Sequence, residues 1–183
     1  MKKMLTIAAI VLMAVISQAV QVGWNVATGS GDYANKAYQV FVIGQKGVTS
    51  VSQITALLNQ GKDVSSYVFG SGTLNSAGTG SVGATSASAG SITPDSYPAT
   101  ITSFAVVFDS ASPSAASKYV AISGQANQTK TVANANASTI TLATGNVNSI
   151  VSNANNWSAI PEPTTVALLA LGLAAFGLKR KVA

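Results

Sequence analysis

The chain has no cysteine and no histidine among its 183 residues, and only 8% of them are charged. Each absence removes a class of chemistry. Without cysteine there is no disulfide to staple the fold and no thiol nucleophile, so packing alone must hold the domain together. Without histidine neither a Ser-His-Asp triad nor an imidazole metal site can be assembled. The only glutamate is Glu162, so a paired-carboxylate glycosidase would have to draw on Asp32, Asp63, Asp95 and Asp109. Each of these stands beside turn or cap residues, where a carboxylate accepts from nearby backbone N–H groups. The stretch Gly29-Ser-Gly-Asp32 lacks the several acidic ligands of a strong calcium site. The Gly-x-Gly pairs at 29–31 and 70–72 open no helix and make no phosphate cradle. No catalytic residue, metal site or cofactor is therefore assigned, and the chain is expected not to be an enzyme.

The formal charge of +5 belongs to the two ends, which hold Lys2, Lys3, Lys179, Arg180 and Lys181. Between Val20 and Ala159 five lysines face four aspartates, a balance of +1. No basic patch remains for phosphates, which excludes nucleic acid as a partner. A surface of neutral hydroxyls and amides repels its own kind weakly, so self-association is open to it.

Met1-Lys2-Lys3, the apolar run Leu5 to Ile16 and the small residues Ser17-Gln18-Ala19 have the three-part layout of a secretory signal peptide cut after Ala19. At the other end stand Ile160-Pro161-Glu162-Pro163, then the uncharged run Thr164 to Leu178, then Lys179-Arg180-Lys181. The 15-residue run, as a helix, would measure roughly 22 Å at about 1.5 Å per residue. That is short for a hydrocarbon core of ~30 Å, although thinning or snorkelling of the cationic flank can make up the difference. The basic cluster Lys179, Arg180, Lys181 should stay cytoplasmic as a stop-transfer signal, leaving everything before Pro161 on the far side. Pro161 and Pro163 cannot enter a helix and hold Glu162 in an extended, accessible strand. A plain C-terminal anchor and a buried core helix also fit the apolar run.

Tripeptide, apolar span, basic cluster and terminal position together resemble the PEP-CTERM sorting signal of Gram-negative bacteria. The resemblance covers residues 160–183 and no more. It implies recognition by an exosortase-type membrane protease, transient residence in the inner membrane, and processing at Pro161, Glu162 and Pro163. Cargo of this family is exported, and much of it is linked to extracellular polymer or biofilm, so exopolysaccharide is a further candidate partner.

The body reads as mainly β. Val20 to Val26 alternates strictly between apolar and small or polar residues, as a half-buried strand does. Ala37 to Ile43 is apolar on both faces and reads as a central strand. Ser50 to Gln60 is the one convincing helix, with Ser50 and Gln53 at capping-box spacing, an apolar stripe of Val51, Ile54, Leu57 and Leu58, and Gly61 at the C′ position. Ser65 to Phe69 is a short strand candidate. Residues 70–93 are rich in Gly, Ser, Ala and Thr and read as a flexible loop, with weak hairpins as the alternative. Ile101 to Phe108, Lys118 to Ser123, Lys130 to Val132 and Ser138 to Ala143 supply the remaining strands. Together they predict a single antiparallel β-sandwich or β-roll over 20–145 with one short helix. Residues 146–159 read as a polar tether with a helical turn near Val147 to Val151, leading to the sorting signal at 160–183 and its transmembrane helix 164–178.

The functional expectation is an exported, non-enzymatic surface or matrix protein. The alternative is a carbohydrate-binding module using the loop aromatics Tyr33, Tyr97 and Trp157.

Overall fold

A computed structural model describes residues 19–82, 91–134 and 139–162 of the chain. Two sheets face each other, and a helix covers the outer face of one of them. The first sheet centres on β1 (Val20–Ala27), whose strict alternation buries Val20, Val22, Trp24 and Val26 while Gln21 and Asn25 stay exposed. One edge of β1 takes β4 (Thr79–Val82) and β5 (Ser91–Ile92), both antiparallel. Its other edge takes β9 (Thr139–Asn146) in parallel, with Val22 opposite Ile140 and Trp24 opposite Leu142. This parallel pair departs from the all-antiparallel arrangement expected. Periodicity says which residues are buried in a strand but carries no strand direction.

The second sheet runs β10 (Ser158–Ala159), β7 (Lys118–Ile122), β6 (Ala99–Phe108), β2 (Ala37–Val42) and β3 (Gly70–Thr73). A further strand, β8 (Thr129–Val132), pairs with the first half of β6. Every residue of β2 is buried, and the reason lies in the two cores. Tyr38, Val40 and Val42, with Ala105 and Val107 of β6, pack towards β1 in the core between the sheets. Ala37 and Phe41, with Phe104, Val106 and Phe108, pack on the opposite side beneath α1 (Val51–Leu58). Phe104, Val106 and Phe108 thus share one face of β6 and Ala105 and Val107 the other, as strand alternation requires.

Helix α1 begins as its residues predict. Ser50 Oγ accepts from Gln53 N at 3.1 Å, while Gln53 Oε1 accepts from Thr49 N at 2.7 Å, one residue before the expected donor. Its end is a Schellman turn, with Gly61 at φ +65°, Gly61 N donating to Leu58 O and Lys62 N to Leu57 O. Ile54 and Leu58 are buried against the sheet.

Three segments differ from the sequence reading. Ser65–Tyr67 is a 3-10 turn rather than a strand. The expected loop at 70–93 contains β3, β4 and β5. The glycines explain the first two of these strands: a Cβ on Gly70 would lie 3.1 Å from the Trp24 ring, one on Gly72 would lie 2.8 Å from the Tyr38 hydroxyl, and one on Gly80 would clash with the Tyr38 ring. Bare backbone is what lets two large aromatic rings lie against it. Residues 146–159, expected as a tether, are folded onto the body: α2 (Asn148–Val151) with Val147 and Val151 buried, then a 3-10 turn over Ala154–Asn156, then β10.

Among the described residues no helix is long and apolar enough to cross a membrane. The expected signal peptide up to Gln18, the transmembrane helix 164–178, Pro163 and the cluster Lys179, Arg180, Lys181 lie outside the described residues.

Candidate functional site

The residues that lead into the processing tripeptide are built into the edge of the second sheet. Strand β10 adds to β7, with Ser158 opposite Tyr119 and Ala159 opposite Lys118. One residue further, Ile160 N donates to Ser117 O at 2.8 Å. Pro161 has no N–H to continue the ladder, so pairing stops where the sorting tripeptide starts. Pro161 is half-buried and Glu162 is exposed.

The surface beneath this strap comes from elements far away in sequence. The Pro161 carbonyl oxygen lies 2.7 Å from where a Cβ on Gly61 would stand, so glycine serves twice here, for its positive φ and for its missing side chain. Tyr119 fixes β7 to α1 by donating from its hydroxyl to Asn59 Oδ1 at 2.9 Å. Asp109 fixes the acceptor of the strap: its carboxylate accepts from Ser117 N at 2.9 Å, Lys118 N at 3.0 Å and Ser117 Oγ at 2.6 Å. Burial acts to raise the pKa of Asp109, but these hydrogen bonds outweigh it and hold the carboxyl below its usual range. Between strap and body lies a cleft of about 700 Å³, lined by Leu58, Gly61, Asp63, Ser117, Pro161 and Glu162 among others.

The segment leading into the strap is latched by two aromatics. Tyr33 and Trp157 stack with ring centroids 5.9 Å apart and planes 10° from parallel. Tyr33 Oη and Trp157 Nε1 both donate to the Val151 carbonyl, each at 2.7 Å. A carbonyl oxygen has two lone pairs, so one acceptor satisfies both donors. These rings were candidates for a sugar-stacking strip. They stack on one another instead, and Tyr97 is partly buried against the core between the sheets.

The four aspartates are not gathered into one centre. Asp63 accepts from Ser65 N at 2.8 Å and from Ser65 Oγ at 2.7 Å; these bonds hold its carboxyl below the usual range. Asp32 pairs with Ser30 inside its own turn, and Asp95 is exposed on a bend. Among the described residues no group of three or more acidic side chains could hold a metal ion. Ala19 is exposed and directly precedes the fully buried Val20, so a cut there would leave the whole of β1 intact.

Sequence reasoning found Pro161 and Glu162 but not their setting. Gly61 was legible as a helix terminator, and Asp109 as a turn residue. Nothing local marked either of them, or Ser117, as a neighbour of the strap.

Comparison with curated proteins and with solved structures gave no match. Residues 159–181 match the family model of the PEP-CTERM protein-sorting motif, a segment that begins inside β10 and leaves the rest of the body uncovered. The chain thus carries a PEP-CTERM protein-sorting motif, which directs a protein for export across a membrane and for sorting by an exosortase.

Proposed function

We propose that this is a non-enzymatic surface or extracellular-matrix protein, associated with biofilm exopolysaccharide, whose precursor waits in the inner membrane until an exosortase cleaves it at Pro161-Glu162-Pro163. The observation that carries the reading is the sorting motif at 159–181. The composition supports the non-enzymatic part, since histidine and cysteine are absent and the one glutamate lies within the motif. The local engagement of Asp63 and Asp109 supports it too, because both carboxylates already hold backbone N–H groups in place. A carbohydrate-binding module is the weaker reading, because Tyr33 and Trp157 cover each other's faces.

The test is mass spectrometry of the protein recovered from cells and medium. The expected mature form ends near Pro161 to Pro163 and begins at Val20. A mature form that still carries Ala183 would refute processing at the motif.

A further inference from the structure

An enzyme that cleaves within a short linear motif takes its substrate as an extended strand, through backbone hydrogen bonds and side-chain pockets. Here the body already uses that backbone. Ser158 and Ala159 are paired with β7, Ile160 N is bonded to Ser117 O, and the Pro161 carbonyl rests against Gly61. The end of α1 and the 112–117 loop stand on either side as walls of the cleft. One stretch of chain cannot be the edge strand of the body and the strand in an enzyme cleft at the same time.

We infer that the folded body and the processing enzyme compete for residues 158–161, so that the body gates its own cleavage. The inference rests on the proposed processing reading and adds a closed state to it. In the closed state residues 158–161 are held on the body; in the open state β10 has left β7 and they are free. Three features set the balance. The pairing to be broken is a strand of only two residues. Beneath the strap Ile160 alone packs against the core under α1, while Pro161 and Glu162 border the open cleft. The Tyr33–Trp157 stack and its shared Val151 acceptor restrain the near end. Such a strap opens locally at a fraction of the free energy of global unfolding. Cleavage then proceeds in proportion to the open fraction.

The chain's lack of cysteine makes a clean clamp available. Lys118→Cys and Ala159→Cys are Cα partners across β7 and β10, both exposed, and can be joined with oxidised glutathione. The full chain, wild type or variant, is presented to membranes containing the enzyme, and release is followed by mass. Cleavage of the oxidised clamp should be slower than that of the same protein treated with dithiothreitol by about tenfold or more, since closure removes the open fraction. For each single-cysteine variant the oxidised and reduced rates should agree with one another, and Trp157→Ala should be cleaved severalfold faster. Equal rates for the oxidised and reduced clamp, or a faster oxidised form, would overturn the gate. If the wild type is not cleaved at all, the processing reading fails, and hydrogen exchange then judges the gate by itself. Slow exchange at the Ile160 amide, accelerated by Trp157→Ala, supports a closed state; exchange at the free-peptide rate in the wild type overturns it.

Discussion

Residues 70–82 and residues 146–162 look alike in sequence. Both are rich in small, polar and uncharged residues, and neither has the apolar content of a core element. In the fold they are held in opposite ways. The first is fastened by what it lacks: its glycines offer bare backbone to the rings of Trp24 and Tyr38, which are 3% and 2% exposed. The second is anchored at its start by the buried Val147 and Val151 and beyond them by a few discrete contacts: a stacked ring pair, one shared carbonyl and a two-residue strand. The first cannot leave without unpacking the core between the sheets. Of the second, Val147 and Val151 belong to that same core, but residues 158–162 can be lifted while it stays whole. Composition sets how much a segment can bury; the side chains that reach it from elsewhere decide how firmly it is held.

The largest effect should come from Gly80→Ala. Its new methyl would run into the buried Tyr38 ring, and overpacking of this kind destabilises by about 3 kcal/mol. Denaturant unfolding should show the midpoint fall, and a smaller residue at Tyr38 should restore part of the loss in a double-mutant cycle. Full stability in Gly80→Ala would mean that the two segments are held alike after all. Next comes Trp157→Ala, which removes the stack on Tyr33 and one hydrogen bond. About 1 kcal/mol of global stability is at stake, whereas exchange at the strap amides should rise steeply. A uniform loss of protection across both sheets would show that the strap is part of the core.

The smallest effect is the pH dependence through Asp109. Its folded pKa lies below the usual carboxylate value. Its contribution is therefore complete above the unfolded pKa near ~3.9 and is lost as pH falls through the folded one. Asp109→Asn should lower stability at neutral pH by under about 1 kcal/mol, a figure kept small by solvent screening. Titration into acid, below the ordinary carboxylate range, should close the gap between variant and wild type. The strap should loosen over the same range, because Asp109 positions Ser117.

The legible parts of this chain are those whose signal is local. The alternation from Val20 to Val26, the two-faced apolarity of Ala37 to Val42, the phase of Phe104, Val106 and Phe108, and both ends of α1 appear in the sequence as they do in the fold. The sorting tripeptide is equally local. What the sequence conceals is set by partners at a distance. Gly70, Gly72 and Gly80 read as breakers because Trp24 and Tyr38, which need them, lie far upstream. Residues 146–159 read as a tether because Tyr33 and Lys118–Tyr119 are likewise remote. A β-rich body could be inferred; that residues 158–160, at the threshold of the tripeptide, are sewn to its edge could not.

The position of β1 has a consequence for the order of assembly. As the central strand of its sheet it needs β4, β5 and β9, and its most distant pairing along the chain joins Ala27 to Asn146. Contacts so distant along the chain form slowly, because loop closure must precede any gain from them. Until β9 arrives, β1 can pair only along the edge that takes β4 and β5. The first sheet is completed only with β9, immediately before α2 and the strap. Completion of the first sheet and docking of residues 158–160 are thus both late events, and a chain stalled before β9 would present one edge of β1 unpaired to its neighbours.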